Sequence, residues 1–131
     1  MPKEERQKIY DLEDRTAVFG ENTIDWLIKL PKNDLTQRLI PQLMASATSV
    51  GANYCEADCA ESNKDFIHKM SIANKESKES KHYIRMLSRV CPEHASEGRI
   101  LWKEAHELNL IFTKIIKNSK ETEEKKLKDE K

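Results

Sequence analysis

Residues 46–57 read Ser-Ala-Thr-Ser-Val-Gly-Ala-Asn-Tyr-Cys-Glu-Ala, and this stretch decides the fold of the chain. Its core-facing positions recur at spacings of three and four residues, which is typical of the buried side of a helix. These positions are Ala47, Val50, Tyr54 and Ala57. Because most of them are small or β-branched and Gly51 lies beside them, a second helix can approach closely. The amide of Asn53 and the phenol of Tyr54 then need partners, and they would fix the register of the packed helices.

The same periodicity continues in both directions along the chain. It predicts helices over about residues 10–29, 35–61, 63–90 and 94–118. Pro31 and Pro92 end the first and third helices, since a residue before proline disfavours helical backbone. Pro41 falls within the second helix, where it predicts a kink. The alternative is a separate turn before that helix begins.

Four helices joined by short loops predict an all-α fold, an antiparallel up-down four-helix bundle. At about 1.5 Å per residue, each helix would be roughly 30–40 Å long. We assign the bundle to residues 1–118 and a charged C-terminal tail to residues 119–131. Residues 120–131 are nearly all Lys and Glu. They form either an extension of the last helix or a disordered tail.

Composition limits the classes of protein that fit. The chain has 131 residues, which is the size of one domain. Its 23 Lys and Arg balance its 23 Asp and Glu, so the net charge by itself indicates neither nucleic acid nor membrane. No apolar run approaches the roughly 18 residues of a membrane span, and the N-terminus lacks the apolar core of a signal peptide. We therefore expect a cytoplasmic protein with reduced cysteines and no membrane partner.

Side chains suited to metal binding or catalysis are present but are not grouped. Cys55 and Cys59 lie one turn apart, and Cys91 precedes His94 by three residues, a set of zinc ligands. In the predicted bundle the two pairs lie roughly 40 Å apart, at opposite ends of the third helix, which excludes an intrachain site. The chain has four histidines, and none of them has a nucleophile and an acid at the spacing of a catalytic triad. They are His68, His82, His94 and His106. We predict a non-enzymatic protein without a metal or other cofactor, in which Cys55 and Cys59 are reduced and partly buried.

The third helix has an excess of positive charge. Between residues 64 and 89 there are seven basic and three acidic residues, so the segment has a charge of 7 − 3 = +4. One stripe opposite the apolar side contains Lys64, His68, Ser71, Lys75, Lys78, His82, Arg85 and Arg89. Such a stripe can follow a phosphate backbone. The other interpretation is an ordinary solvated helix face.

Several large apolar residues fall outside the four core-facing rows. They are Ile24, Ile28, Ile72, Met86, Trp102, Leu110 and Ile111. A monomeric bundle would leave several of them in contact with water, and exposed apolar patches commonly mark an interface. We therefore predict an oligomer interface that includes Ile24, Ile28, Ile72, Trp102, Leu110 and Ile111.

Two blocks of the sequence resemble a known family, the bacterial four-helix bundle proteins encoded within intervening sequences of 23S rRNA genes. The first block is Ser49-Val50-Gly51-Ala52-Asn53-Tyr54 followed by Glu56-Ala57, and the second is Lys64-Asp65-Phe66-Ile67-His68-Lys69-Met70. Tyr10-Asp11-Leu12-Glu13 and Leu30-Pro31-Lys32 are also similar to the family, so the resemblance covers roughly residues 9–118. Gly51, Asn53, Tyr54 and Glu56 are its structural signature. Cys55 departs from the pattern, since the family often has Arg there, and a basic group is missing at that position.

The resemblance implies a partner and an assembly. Proteins of this family form ring-shaped homopentamers, which would bury the surplus apolar residues and repeat the basic stripe around a ring. The association with rRNA genes favours a non-enzymatic, oligomeric protein that binds structured RNA through Lys64, His68, Lys75, Lys78, His82, Arg85 and Arg89. Relatives are accessory proteins of diversity-generating retroelements. The alternative is therefore a protein-interaction scaffold, for example an accessory subunit of a reverse transcriptase, without direct nucleic-acid binding.

Overall fold

The computed structural model describes residues 11–130, which form four helices. They are α1 (Leu12–Lys29), α2 (Asp34–Asp58), α3 (Asn63–Val90) and α4 (Ala95–Asp129), with a short 3-10 turn at Pro92–His94 before α4. Within the described residues there is no strand. The predicted all-α four-helix bundle is therefore confirmed, and the start predicted for the first helix at residue 10 lies outside the described residues.

Contacts between specific residues show that neighbouring helices run antiparallel. Ser46 near the middle of α2 bonds to Ser80 of α3, whereas Glu56 near the end of α2 pairs with Lys69 near the start of α3. Contacts of the same kind show that α1 and α2, α3 and α4, and α4 and α1 are also antiparallel pairs. Each helix thus packs on its neighbours in the chain, and α1 and α4 close the bundle.

The predicted core-facing rows form the core. Of the core-facing positions named in the opening stretch, Ala47, Val50 and Ala57 are buried and Tyr54 is half-buried. Ile40, Phe66 and Ile115, which continue the same periodicity in α2, α3 and α4, are also half-buried. The largest side chains in the core are those of Trp26, Phe19 and Phe112. The indole Nε1 of Trp26 donates to the backbone carbonyl of His94 at 3.1 Å, which ties α1 to the turn before α4.

The core also contains hydroxyl groups, and each has a partner. Thr16 and Thr23 donate to the carbonyl four residues earlier, at 2.7 and 2.8 Å. Ser80 donates to the carbonyl of Glu76 and also approaches the hydroxyl of Ser46 across the helix interface at 3.1 Å. Because the hydroxyl groups of these small side chains are hydrogen-bonded, they reduce the apolar packing area of the core without leaving these groups unpaired.

The helix boundaries differ from the prediction in α2. The helix starts at Asp34, where the side chain of Asn33 accepts hydrogen bonds from the first turn and Thr36 completes a capping box. It ends at Asp58 rather than near residue 61, since Ser62 already caps α3 by accepting from the amide of Asp65. Pro41 lies inside one continuous helix, so the alternative of a separate turn before α2 is wrong.

The last helix is longer than predicted, because α4 continues to Asp129 instead of stopping at residue 118. At 1.5 Å per residue its 35 residues span roughly 50 Å. Asn63 holds the extension, since its side-chain amide donates to the carbonyl of Ser119 and to the carboxylate of Glu123. Of the two alternatives for the tail, the helical one holds for residues 120–129. The division into a bundle and a charged tail stays a prediction.

The cysteines are placed differently from the prediction. Cys55 and Cys59 are exposed rather than partly buried, whereas Cys91 is buried at the end of α3. The reason is their register, because neither Cys55 nor Cys59 belongs to the row of α2 that faces the core. Cys55 points instead toward the surface groove between α1 and α2.

The stretch that decides the fold packs α2 against α1. A Cβ atom at Gly51 would lie 3.3 Å from the hydroxyl of Thr16 and 3.5 Å from its backbone, so the two helices approach closely there. The amide of Asn53 donates to the carbonyl of Ser49 in its own helix at 2.8 Å, and it makes no bond to another of the four described helices. Glu56 pairs with Lys69 at 2.8 Å, and this pair joins the two sequence blocks that carry the resemblance.

Gly51→Leu should lower the free energy of unfolding by about 1–3 kcal/mol, because a branched side chain would push α1 away from α2 at Thr16. Gly51→Ala is the matched control. Its single methyl group would lie close to the hydroxyl of Thr16, 3.3 Å away, which costs some packing energy. The higher helix propensity of Ala, about 1 kcal/mol, offsets that loss. Urea denaturation followed by circular dichroism measures both variants. A Gly51→Leu protein as stable as the parent would show that the α1–α2 contact can widen freely.

Candidate nucleic-acid interface

The predicted stripe of α3 lies on the surface. Its eight residues are all exposed, and they recur at spacings of three and four along the helix: Lys64, His68, Ser71, Lys75, Lys78, His82, Arg85 and Arg89. None of the five Lys and Arg side chains among them forms a salt bridge with another residue of the range 11–130. Their charges are therefore not neutralised by pairing within the described bundle.

The structure adds a second row of cations from α4 to this stripe. Arg99 lines the same surface groove as Arg85, and Thr113 lies within hydrogen-bonding distance of Asn74 of α3, so this side of α4 adjoins the stripe. Residues three, four or seven positions apart share a helix face. The exposed cations of α4 over the same length are Arg99, Lys103, Lys114 and Lys117. We call them, together with Lys64, Lys75, Lys78, Arg85 and Arg89, the basic face.

The contribution of α4 was not predicted from the sequence. Its basic residues alternate with glutamates along the chain, so the segment shows no excess of charge comparable with that of α3. The available signal was the spacing of Arg99, Lys103, Lys114 and Lys117, which places them on one side of the helix, with Glu107 four residues from Lys103 and seven from Lys114 at its margin.

Acidic residues of α4 lie on its other side, where it meets α1. Between residues 99 and 117 the only carboxylates are those of Glu104 and Glu107. Both bind Arg15: its guanidinium donates to Glu104 at 2.7 and 2.9 Å and to Glu107 at 2.6 Å. The hydrogen bond with Glu104 raises the pKa of Arg15, so this cation stays charged. The pairing leaves the side of α4 toward α3 without negative charge along this length.

A second ion pair lies further along the α1–α4 edge. Lys29 and Glu97 pair at 2.9 Å, and this hydrogen bond lowers the pKa of Glu97. On α3, Lys69 pairs with Glu56 and therefore lies on the side toward α2. Asp65 and Glu76 are four and seven residues from Lys69, so they share that side of the helix. Glu79 lies at the boundary of the stripe. Asp65 and Glu76 thus lie toward α2 and Glu104 toward α1, with Glu79 and Glu107 at the margins of the basic face.

A polar network lies in the middle of the basic face, between α3 and α4. The ammonium of Lys81 lies 3.1 Å from the amide oxygen of Asn109 and 3.2 Å from Nδ1 of His106. Asn109 donates a short hydrogen bond to Asn74. The indole of Trp102 stacks on His106, with ring centroids 5.1 Å apart, and Lys81 lies 5.4 Å from the Trp102 centroid. This network holds an aromatic ring among the cations.

The predicted interface residues do not form one patch. Ile28 and Leu110 are 70% and 57% exposed. Ile24 lines the groove between α1 and α2, whereas Trp102 lines the groove between α3 and α4. Ile72 is half-buried, and Ile111 packs against the core of its own chain. Their spacing in sequence did not reveal that the bundle distributes them over different sides.

Within residues 11–130, no three His, Cys, Asp or Glu side chains are grouped so that they could hold a metal ion. The four histidines lie apart from Cys55 and Cys59, and two of them, His68 and His82, belong to the exposed stripe. None of the described helices is long and apolar enough to cross a membrane.

Comparison with known proteins gives the family. Residues 10–92 match the family described as 23S rRNA-intervening sequence protein. The chain belongs to this family. The resemblance of the two sequence blocks is thereby confirmed, and both blocks lie inside the matched residues. No curated protein gives a significant match to the sequence.

A solved structure has the same fold as this intervening-sequence protein. It is a protein of unknown function from the S23 ribosomal protein family of Bacteroides thetaiotaomicron VPI-5482, with 27% sequence identity and a TM-score of 0.73. The match covers 84% of this chain and 98% of that chain. The match covers more of the chain than residues 10–92, so the shared fold includes part of α4.

Arg15→Ala should lower the free energy of unfolding by about 1–2 kcal/mol, because it leaves the half-buried carboxylate of Glu104 without its two hydrogen bonds. Lys29→Ala is the matched control at the other ion pair of the α1–α4 edge. Its partner Glu97 and Lys29 itself are more exposed, so a smaller loss is expected. Thermal unfolding at low and high salt measures both variants. Equal losses would show that the Arg15 pair is no stronger than a surface pair.

Proposed function

We propose that this intervening-sequence protein binds structured RNA through the basic face, without catalysing a reaction. The observation that supports the proposal is the set of nine exposed cations that α3 and α4 present together, none of which forms a salt bridge with another residue of the range 11–130. Cations that neutralise phosphates release condensed counterions, and this release favours binding independently of sequence. A net charge of zero does not oppose it, because Glu104 and Glu107 bind Arg15, and Asp65 and Glu76 lie toward α2.

The dimensions of the face suit a nucleic-acid backbone. From Lys64 to Arg89 the stripe covers 25 helical steps, or roughly 38 Å at 1.5 Å per residue. The cations of α4 run beside it and double its width. A rigid pair of helices fixes the spacing of the charges, so the face can follow the backbone of a structured RNA. We place this activity in the cytoplasm, where ribosomal RNA is found.

The proposal includes self-association. The groove between α1 and α2 has a volume of about 270 Å³ and a largely apolar lining of small residues that includes Ala17, Gly20, Gly51 and Ala52. Ile24 lines it, and the exposed side chains of Ile28 and Met44 belong to the same two helices. A second copy seated on this side would cover these residues and leave the basic face open. In a ring, including the pentamer that the resemblance implies, the basic face would be repeated in every subunit.

Changing Lys75, Lys78 and Arg85 together to Glu should abolish RNA binding while the bundle stays folded. Each exchange alters the charge by two, so the face loses six positive units per chain. None of the three side chains contributes to the core, and exposed substitutions usually change stability by less than about 0.5 kcal/mol each. Fluorescence anisotropy with a labelled RNA hairpin measures binding, and the affinity of the parent should fall log-linearly with rising salt.

The matched control changes Lys125, Lys126 and Lys128 to Glu, which alters the charge by the same amount at the exposed end of α4. This variant should bind nearly as well as the parent if the basic face is the binding surface. A parent protein that does not bind at low salt would refute the proposal. Equal weakening in both triple variants would show that only the total charge matters.

A second candidate function is a protein-interaction scaffold, such as an accessory subunit without a nucleic-acid role. The apolar groove between α1 and α2 favours it, because apolar grooves of this kind accept a helix from a partner. In this case the partner seated in the groove would be a different protein, and the basic face would only keep the assembly soluble. The two candidate functions differ in whether the purified protein alone binds RNA.

Thiol reactivity tests whether a second copy covers the groove. Cys55 lines the groove and Cys59 does not, although both are exposed in the isolated chain, and Cys91 is buried. A monomer should therefore expose two reactive thiols to Ellman's reagent, whereas an oligomer that closes the groove should expose one. Partial shielding from water and the carboxylate of Glu13 raise the pKa of the Cys55 thiol, so the reaction is followed to completion at mildly alkaline pH.

The variants Cys55→Ser and Cys59→Ser assign the thiols, and sedimentation velocity gives the oligomeric state of the same samples. An oligomer that keeps Cys55 fully reactive would show that the subunits meet on another side of the bundle. Unfolding in guanidinium chloride should release Cys91 in every sample and provides the total count.

A further inference from the structure

A second surface groove lies within the basic face, between the end of α3 and the start of α4. Its volume is about 160 Å³, and its lining includes Arg85, Arg99, Trp102, Ser88 and Gly98. It therefore combines two exposed guanidinium groups with an aromatic ring. A ligand that matches this combination has an anionic group next to a planar, apolar group.

The start of α4 packs unusually closely at this groove. A Cβ atom at Gly98 would lie 2.4 Å from the hydroxyl of Ser88 and 2.9 Å from the indole of Trp26. Only glycine therefore fits at this point without displacing the buried Trp26. The close approach of α4 to α3 brings Arg99 and Arg85 to the same groove, so the arrangement of the two guanidinium groups follows from the packing of the bundle.

Trp102 is held in place on the side toward the C-terminus of α4. His106 stacks on its indole with an angle of 16° between the rings, and Lys81 fixes His106 through its Nδ1 atom. The indole is still 36% exposed and forms part of the groove. A large aromatic ring that is exposed but immobilised by its neighbours provides a preformed surface for stacking.

We propose that this groove binds one unpaired nucleotide of an RNA strand, with its base against Trp102 and its phosphate between Arg85 and Arg99. The proposal rests on the RNA-binding function proposed above and specifies which part of the RNA is recognised. Stacking of a base on an aromatic side chain is tolerant of sequence, whereas guanidinium groups bind phosphate oxygens in a bidentate geometry. The volume is close to that of a protein cavity of roughly 150 Å³ that holds a benzene ring.

A paired base would not reach the indole. Bases in an RNA helix are stacked on their neighbours, and proteins that read RNA through aromatic side chains select loops, bulges and ends. The cations of α3 continue from Arg85 past Lys78 and Lys75 to Lys64, so a strand with one base in the groove can lie along the rest of the face. This continuity favours a nucleotide within a strand over a free mononucleotide.

The experiment compares a labelled single-stranded oligouridylate with a blunt RNA duplex that has the same number of phosphates. The protein variants are Trp102→Leu, which keeps an apolar side chain, and Trp102→Phe, which keeps a ring. We expect Trp102→Leu to weaken binding of the single strand roughly tenfold and to leave binding of the duplex unchanged. Trp102→Phe should retain most of the affinity for the single strand. Circular dichroism confirms that both variants are folded.

Intrinsic fluorescence gives a readout that a merely structural role of Trp102 would not change. Trp26 is 2% exposed, so quenching on addition of the single strand reports on Trp102. The duplex should quench little. In the Trp102→Phe protein the remaining signal of Trp26 should not respond to either RNA.

The outcomes separate this inference from the proposed function. A Trp102→Leu protein that binds both RNAs as the parent does, without quenching in the parent, would overturn the nucleotide site and leave RNA binding intact. Equal weakening for single strand and duplex would also overturn it, because the groove would then make no distinction between paired and unpaired bases. A parent that binds neither RNA at low salt would overturn both proposals.

Discussion

The contact between α1 and α4 closes the bundle, and the distribution of charge over the molecule depends on it. Arg15 binds the two carboxylates that α4 has along its middle, with three hydrogen bonds between 2.6 and 2.9 Å. Charge-assisted hydrogen bonds of this kind are among the stronger polar contacts in proteins. Because Glu104 and Glu107 point toward α1, the opposite side of α4 presents its cations beside those of α3. The same contact that completes the fold thus leaves one face of the bundle basic.

The bundle therefore has two sides with different chemistry. On the side of α1 and α2, small residues such as Gly20 and Gly51 leave an apolar groove. On the side of α3 and α4, cations surround the stacked rings of Trp102 and His106. An oligomer that buries the first side and exposes the second would satisfy both. The interpretations of this intervening-sequence protein as an RNA-binding protein and as an assembly subunit are consequently compatible in one molecule.

Several features depend on packing at single positions. Gly98 allows α4 to approach Ser88 and Trp26, and the indole of Trp26 in turn bonds to the carbonyl of His94. Asn63 holds the extended α4 through Ser119 and Glu123. These contacts join residues that are far apart in the chain. They place Arg99 next to Arg85 at one end of the α3–α4 interface and fix α4 to the start of α3 at the other.

The sequence by itself determined the four helices, their core-facing rows, the family and the exposed stripe of α3, because each of these depends on spacing within one segment. A periodicity of 3.6 residues defines which side of a helix is buried before any partner is known. It did not determine that Cys55 is exposed, that α4 extends to Asp129, or that Arg99, Lys103, Lys114 and Lys117 join the stripe. Those features depend on which helix lies beside which and at what rotation, and only the packing of side chains such as Arg15, Lys81 and Asn63 against distant partners fixes them.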